Sequence, residues 1–221
     1  MFEADRDFSQ YGEQQLILTY VRGHPDLPRF SVDAGAFDGV TGSNTRALFL
    51  LGWRGLLIEP DYRTFAHLKK LYADRPDVRC LRYALSDRPG FRRIQLCMGP
   101  AGTAPELTWH YAQVNTFHRP FAESYVANHD YEYTQAWVRV TTLTRALRHS
   151  GAPNEIGFIS IDCEGEDLAV LNGLDFERYR PRLLCIECDD QSRPRFADYL
   201  RNRGYEYYAN TAANTLFALN S

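Results

Sequence analysis

Apolar, strand-like runs alternate with helix-like segments along most of this chain, and no other sequence feature restricts its fold as strongly. Two of these runs, residues 156–162 (IGFISID) and 181–188 (PRLLCIEC), are apolar at almost every position, as is typical of strands buried on both faces. Strands that alternate with helices indicate a parallel sheet covered by helices on its two faces. The sequence therefore predicts a doubly wound α/β fold with about seven mostly parallel strands.

The remaining elements follow from periodicity and turn residues. An N-terminal helical segment is predicted over 8–22, with the helix itself starting near residue 11. Residues 77–85 (DVRCLRYAL) are predicted as one strand, and residues 99–136, which have no clean period, as an insertion or lid. Two alternating runs, 205–211 and 214–220, suit a terminal antiparallel hairpin. Further strands are predicted at 29–35, 54–60, 91–98 and 137–143, and further helices at 43–51, 62–73, 144–150, 168–173 and 193–203.

Composition and charge limit the class of protein. A chain of 221 residues with 44% apolar residues can bury one sizeable core, so we expect a single domain over 1–221. A net charge of −3 gives no reason to expect binding to nucleic acid. The acidic N-terminus lacks the features of a signal peptide, and no run reaches the roughly 18 apolar residues of a membrane span. We therefore expect no membrane association, and the sequence leaves the oligomeric state open.

The five cysteines are interpreted as buried hydrophobic side chains in a reducing compartment. Cys185 and Cys188 have the spacing of a redox or zinc pair, but they lie inside a strand-like run and no second pair follows. The sequence thus favours a cytoplasmic protein.

Acidic residues follow four of the predicted strands at their carboxyl ends: Asp33, Glu59, Asp162 and Glu187. Because ligands of doubly wound sheets bind beyond the carboxyl ends of the strands, we expect these side chains along one rim of the sheet. Glu59 is suited to accept hydrogen bonds from the two hydroxyls of an adenosine ribose. The alternative is a solvated acid that caps the following helix.

The turn after the first predicted strand, residues 31–44 (SVDAGAFDGVTGSN), contains three glycines and two acids. A dinucleotide site requires the pattern G-x-G-x-x-G, and the second glycine of that pattern is missing here. Asp33 and Asp38 would repel a pyrophosphate and would tolerate a cationic ligand. S-adenosylmethionine fits, because it carries a sulfonium and an ammonium, and its carboxylate could bind backbone N–H groups at a helix N-terminus. A nicotinamide-dependent oxidoreductase and a non-catalytic nucleoside-binding module are the alternatives.

Several separate motifs give the chain a resemblance to the FkbM-type methyltransferases, a branch of the class I S-adenosylmethionine-dependent enzymes. The motifs are FSQYGEQQLIL (8–18), VDAGAFDGVTGSNT (32–45), GWRGLLIEPDYRTFAHL (52–68), YALSD (83–87), TTL (141–143), ISIDCEGEDLAVLNGLDF (159–176) and RPRLLCIEC (180–188). The resemblance implies a seven-stranded Rossmann-like sheet and methyl transfer to a hydroxyl oxygen, often on a sugar or glycan. The chain departs from the family pattern at Ser160, where a lysine is common, and at Gln14, where an acid is common.

Carried over position by position, the resemblance implies a set of residues that bind S-adenosylmethionine. The residues expected around the cofactor loop and the methionine end of the cofactor are Asp33, Gly35, Ala36, Ser43 and Asn44. Glu59 would hold the ribose, and Ser86 with Asp87 would lie along the adenine.

Methyl transfer to oxygen requires in-line attack on the sulfonium and removal of a hydroxyl proton. Asp162 follows a buried strand and is the first candidate for the residue beside the reacting oxygen, as a base or as a metal ligand. With Glu164 and Glu187 it could form an all-oxygen site for Mg²⁺ or Mn²⁺, which would lower the pKa of the hydroxyl. Alternatively, Glu164 is an acid that favours the N-terminus of the next helix. The alternative for Glu187 is a strand-end acid whose carboxyl bonds to nearby backbone.

The predicted lid supplies aromatic side chains that suit a sugar ring, together with three of the six histidines. His110 and His118, with His129, are the candidate histidine bases. The alternative is that the aromatic residues form the packing core of the lid and that each histidine is structural or exposed. We expect the acceptor to be a small molecule or a glycan.

Overall fold

The large sheet has seven strands, most of them parallel. The computed structural model describes residues 6–220. The strands of the described chain are β1 (Phe30–Ala34), β2 (Arg54–Ile58), β3 (Val78–Leu81), β4 (Ala84–Leu85), β5 (Gly90–Pro100), β6 (Tyr131–Thr141), β7 (Glu155–Ile161), β8 (Arg180–Glu187), β9 (Tyr205–Asn210) and β10 (Asn214–Leu219). The order in the large sheet is β3-β2-β1-β7-β8-β10-β9. Strand β10 pairs antiparallel with β8 and β9, and the other pairs are parallel. The predicted fold with its C-terminal antiparallel hairpin is confirmed.

The helices begin and end at residues whose chemistry favours those positions. They are α1 (Glu13–Gly23), α2 (Arg46–Leu50), α3 (Tyr62–Leu71), α4 (Arg119–His129), α5 (Leu143–Ser150), α6 (Asp167–Asn172) and α7 (Arg193–Arg201), with a 3₁₀ helix over Pro105–Val114. The Asp61 side chain accepts the N–H of Arg63 in the first turn of α3, and the Thr142 side chain accepts the N–H of Arg145 in the first turn of α5. Helix α1 starts later than the predicted segment 8–22, because Gly12 adopts a left-handed conformation just before it.

Alternate residues of the central strands point to opposite faces of the sheet and build two cores. Val32, Ile159 and Leu184 belong to the core that packs against α5, α6 and α7. Leu57 and Phe158 belong to the core that packs against α1, α2 and α3. All five are fully buried, so the central strands are held on both faces and their carboxyl ends form a fixed edge.

A second sheet, with the order β4-β6-β5, flanks the region predicted as lid. Residues 99–136 contain the 3₁₀ helix, α4 and the start of β6, which pairs antiparallel with β5. The prediction of one strand over 77–85 was wrong, because β3 stays in the large sheet whereas β4 pairs with β6. Strand β3 is an edge strand, so the chain can leave the large sheet after Leu81 and bury Ala84 and Leu85 beside β6.

The strand order reverses between β1 and β7, and the turn after β1 packs tightly on the end of β7. Gly35 adopts a φ of +89°, and a methyl group at this position would overlap the carbonyl oxygen of Asp162. The Asp162 N–H donates to the carbonyl oxygen of Ala34 at 2.9 Å. Both the positive φ and the close approach therefore require glycine at position 35.

Residues 1–5, which belong to the acidic stretch used to argue against a signal peptide, lie outside the described residues. Within the part that the structure describes, no helix has the length and hydropathy that crossing a membrane would require. All five cysteines are free thiols. Cys97, Cys185 and Cys188 are buried, as predicted, whereas Cys80 and Cys163 are only half-buried.

We expect Gly35→Ala to lower the free energy of unfolding by more than about 3 kcal/mol, because the added methyl group forces the ends of β1 and β7 apart. Urea denaturation measures the loss. Gly52→Ala is the matched control, since Gly52 also has a positive φ of +81° but has no heavy atom within 4 Å of an added methyl group. That variant should lose only the backbone cost of about 1 kcal/mol, and equal losses in the two variants would contradict the role of the contact.

Candidate active site

A pocket of about 380 Å³ opens at the carboxyl edge of the large sheet. Five carboxyl groups line it, those of Asp33, Glu59, Asp162, Glu164 and Glu187. Among the described residues that line the pocket there is no lysine, arginine or histidine. The volume lies in the range of small-molecule sites, and the interior is acidic.

The structure brings most of the predicted site residues together in this pocket. The predicted residues that line it are Asp33, Gly35, Ala36, Ser43, Asn44, Glu59, Asp162, Glu164 and Glu187. The predicted residues that fall outside its lining are Ser86, Asp87, His110 and His118.

The turn between β1 and α2 is held by its own short polar side chains. Asp33 accepts a hydrogen bond from the Thr45 hydroxyl, and Ser43 accepts one from the Thr45 N–H at 3.3 Å, next to the start of α2. Asn44 donates to the Ser160 hydroxyl at 3.1 Å, but its side-chain oxygen is buried and has no partner among the described residues. Buried acceptors are normally paired, so Asn44 fits a ligand that carries a hydrogen-bond donor.

Asp38, the second acid of this turn, stabilises the turn itself. Its carboxylate accepts hydrogen bonds from the N–H groups of Val40 and Thr41 at 2.8 and 2.7 Å, and from the Thr41 hydroxyl at 2.8 Å. Asp38 is not among the lining residues. Only one of the two acids in the turn, Asp33, is therefore positioned to act on a ligand.

Glu59 holds two backbone segments at the end of β2. One carboxylate oxygen accepts the N–H of Phe37 at 3.0 Å, and the other accepts the N–H of Asp61 at 2.8 Å. The alternative of a solvated helix cap is wrong, because Glu59 is only 6% exposed and Asp61 caps α3. The Thr64 hydroxyl is a third partner of this carboxylate. Because Glu59 also lines the pocket, its carboxylate can still accept a hydrogen bond from a ligand hydroxyl.

Burial raises the pKa values of the Glu59 and Asp33 carboxyls. Removal from water raises the pKa of Glu59 to about 8, against the lowering effect of the Asp61 N–H. Removal from water also raises the pKa of Asp33 to about 7, and the nearby Asp162 charge adds to the shift. A cationic ligand would offset both shifts by favouring the ionised forms.

Asp162, Glu164 and Glu187 form a compact carboxyl cluster at the ends of β7 and β8. One oxygen from each lies within 4.8 Å of the others. Burial and the neighbouring acids raise the pKa of Glu164 to about 9 and that of Glu187 to about 10, and burial raises the pKa of Asp162. The cluster therefore either retains protons or holds a divalent cation, for which three carboxylates are suitable ligands.

The lid contributes aromatic rings to the pocket, while its histidines lie elsewhere. Phe117, Phe121 and Tyr125 line the pocket beside the carboxyl cluster. His110 stacks on Trp109 at 3.8 Å, in agreement with the alternative of internal packing. The roles of the three lid histidines as bases stay predictions, since none of them lines the pocket.

His118 belongs to a polar network behind the pocket wall, centred on Glu166. The ring of His118 lies 3.5 Å from the Glu166 carboxylate. The same carboxylate accepts the Ser86 hydroxyl at 2.8 Å and forms an ion pair with Arg92 at 2.8 Å. Ser86 is thus committed to Glu166, while Asp87 lies exposed beside Arg88.

One part of the pocket was absent from the predicted site residues. Gln10 and Tyr11, in the segment before α1, line the pocket. This segment is held by Glu13, which accepts hydrogen bonds from the Tyr11 N–H and from Thr211 and Asn214 at the other end of the chain. The motif at 8–18 indicated that the segment matters, but the pairing with residues about 200 positions away has no local signal.

A family model described as the methyltransferase FkbM domain matches residues 33–207, most of the chain. The chain belongs to the FkbM methyltransferase family. The matched range contains the turn after β1, Glu59 and the carboxyl cluster, and the predicted family is confirmed. No protein of curated function matches the chain in sequence.

Solved structures with similar folds support the class I methyltransferase architecture of this FkbM family member. An FkbM methyltransferase from Methylobacillus flagellatus aligns with 85% of this chain at 16% identity and a TM-score of 0.53. This chain spans only 42% of that protein. The methyltransferase domain of METTL16 aligns with 98% of this chain and 70% of its own length, at 15% identity and a TM-score of 0.52.

The raised pKa values predict how stability depends on pH. The pKa of Glu59 rises from 4.5 to about 8 on folding, so between these pH values the folded protein holds a proton that the unfolded chain has released. Stability then falls as pH rises through this window. We expect the thermal midpoint of the ligand-free protein to drop between about pH 5 and 8, by about 2–4 °C for each kcal/mol lost.

Glu59→Gln should flatten this pH profile, because glutamine cannot release the proton. Glu155→Gln is the control, since Glu155 is exposed at the start of β7. A profile with the same slope in all three proteins would contradict the assignment.

The carboxyl cluster also predicts a response to divalent cations. After dialysis against chelator, added Mn²⁺ or Mg²⁺ should raise the thermal midpoint, by about 2.7 kcal/mol of stability at a hundredfold excess over the dissociation constant. Glu187→Gln should abolish the shift, whereas Glu123→Gln in the exposed part of the lid should keep it. Absence of a shift in the unmodified protein, with full activity in chelator, would exclude a metal role.

Proposed function

We propose that this FkbM family member is an S-adenosylmethionine-dependent O-methyltransferase that acts on a hydroxyl of a sugar, a glycan or a related natural product. The observation that carries the proposal is the Glu59 carboxylate, which is buried at the end of β2, is held by the N–H groups of Phe37 and Asp61, and lines the pocket. This geometry is suited to the two hydroxyls of an adenosine ribose.

The other residues of the pocket fit the remaining parts of the cofactor. The acidic turn and the absence of any described cationic lining residue favour a ligand with positive charge. The unpaired side-chain oxygen of Asn44 suits an ammonium group near the methionine end. When bound, S-adenosylmethionine supplies a methyl group on a sulfonium, which a hydroxyl oxygen can attack.

The acceptor half of the pocket favours an uncharged hydroxyl compound. Phe117, Phe121 and Tyr125 offer flat apolar faces of the kind that pack against sugar rings, next to the carboxyls that can receive a proton. Asp162 is the proposed proton acceptor, because it lies at the end of β7 in the same lining as these rings. A phosphate on the reacting part of the acceptor would face carboxyl groups and would find no arginine, lysine or histidine in the described lining.

The acidic lining of the pocket disfavours the two alternative functions, a nicotinamide-dependent oxidoreductase and a non-catalytic nucleoside-binding module. A nicotinamide cofactor would bring a pyrophosphate next to Asp33 and Asp162 without any described cation in the lining. A non-catalytic nucleoside-binding module would have no use for three clustered carboxyls whose ionisation is opposed by their burial.

Isothermal titration calorimetry with S-adenosylmethionine tests the cofactor assignment. Glu59→Ala and the more conservative Glu59→Gln should each weaken binding by about tenfold or more, because charge-assisted hydrogen bonds to the ribose are lost. Glu155→Gln is the control. Binding of NAD in place of S-adenosylmethionine would overturn the proposal.

Transfer of a labelled methyl group from S-adenosylmethionine to a panel of sugars and glycans tests the reaction. Asp162→Asn should lower kcat by about 10²–10⁴-fold while cofactor affinity changes little. Normal kcat in Asp162→Asn would assign the base to another residue, and cofactor binding without turnover on any hydroxyl acceptor would contradict an O-methyltransferase.

A further inference from the structure

The outer face of the second sheet carries an unusual set of exposed side chains. In the antiparallel pair of β5 and β6, Phe91 lies opposite Arg139 and Arg93 lies opposite Trp137. Residues directly opposite each other in such a pair share one face. Ile94, the residue after Arg93, points to the other face and lines the catalytic pocket. We call the four outward residues the Arg–aromatic strip.

The two aromatic rings of the strip are open to solvent. Phe91 is 69% exposed and Trp137 is 65% exposed, although each is a large apolar side chain. The Arg93 guanidinium lies 5.3 Å from the Trp137 ring, close enough for a cation–π contact. Adjacent exposed aromatic side chains on a small sheet mark an interaction surface.

At the β4 end the strip continues into a groove of about 420 Å³. The groove is lined by Phe91 and Arg139 from the strip, by Tyr83, and by Arg145 and His149 from α5. No aspartate or glutamate lines it, and neither arginine forms an ion pair with a carboxylate in the described part of the chain. The chain as a whole has a net charge of −3, whereas the arginines of this groove have no neighbouring carboxylates to balance their positive charge.

The groove and the catalytic pocket share one wall and are lined by ionisable side chains of opposite type. Tyr83 lines both. The pocket contains five carboxyls and, within its described lining, no cation, whereas the groove contains two arginines and a histidine and no carboxyl. A ligand of both regions must therefore be neutral in one part and anionic in another.

We propose that the groove and the Arg–aromatic strip bind carboxylate-bearing sugar residues of an acidic glycan. Guanidinium groups pair with carboxylates through two parallel hydrogen bonds, and exposed rings such as Phe91 and Trp137 offer flat faces for sugar rings. The inference rests on the proposed function, because it names an acidic glycan as the class to which the acceptor belongs.

The change from an acidic pocket to a basic groove favours an acidic glycan over a nucleic acid. Every nucleotide carries a phosphate, so a bound strand would place negative charge against the five carboxyls of the pocket as well as in the groove. In a glycan, a neutral residue can follow an acidic one. The observations thus favour the glycan, although exposed aromatic and arginine side chains also suit single strands.

Titration of the full chain with a tetramer of galacturonic acid, without S-adenosylmethionine, tests the proposal. We expect binding that quenches the fluorescence of exposed Trp137, that weakens with added salt, and that exceeds the binding of uncharged maltotetraose at least about tenfold. Arg145→Ala should weaken it about tenfold. Arg148→Ala is the matched control, since Arg148 lies on the same helix, is exposed, and does not line the groove.

Besides an absence of tetramer binding, three results would overturn the proposal. The first is equal affinity of Arg145→Ala and Arg148→Ala for the tetramer. The second is that an oligothymidine binds more tightly than the tetramer and that Arg145→Ala weakens this binding. The third is self-association of the chain, detected by sedimentation, that buries Trp137, detected by fluorescence. Because the titration needs no cofactor, its outcome is independent of the methyl-transfer assay. Methyl transfer to neutral sugars together with no tetramer binding would refute only this inference, and tetramer binding without any methyl transfer would refute only the O-methyltransferase.

Discussion

The contact between the ends of β1 and β7 is the constraint on which the candidate site depends. The Asp162 N–H bonds to the Ala34 carbonyl, and Gly35 packs directly on the Asp162 carbonyl oxygen. This contact lies where the strand order reverses, so it fixes the distance between the turn after β1 and the carboxyl cluster after β7. The two halves of the pocket are therefore set by backbone geometry, and their side chains only supply the chemistry.

The concentration of carboxyls at this edge has an energetic cost that limits what can occupy the pocket. Burial and mutual repulsion raise the pKa values of Asp33, Glu59, Glu164 and Glu187. Protons, a divalent cation or a positively charged ligand each relieve that cost. A pocket with this electrostatic character selects its ligands by charge before it selects them by shape.

The sequence predicted the parts of the site that depend on strand ends and failed where distant residues pair. Asp33, Glu59, Asp162 and Glu187 were expected on one rim because parallel strands present their carboxyl ends at the same edge. Three features had no local signal: the bond between the Phe37 N–H and Glu59, the use of Ser86 by Glu166, and the anchoring of the segment before α1 by Glu13. Helix α4 was also missed, because residues 99–136 lack the periodicity that reveals regular elements. The strands predicted at 91–98 and 137–143 are present in part, but their pairing in a second sheet had no local signal.

The bonds that Glu59 makes to Phe37 and Asp61 have a consequence for the kinetics of ligand association. Phe37 adopts a φ of +47°, a conformation that is costly for a residue other than glycine, and Glu59 holds it there. The turn is thus already ordered before any ligand arrives, and an incoming molecule loses little affinity to the ordering of this segment. Ligand association therefore requires no prior rearrangement of this turn, which removes one cause of slow binding.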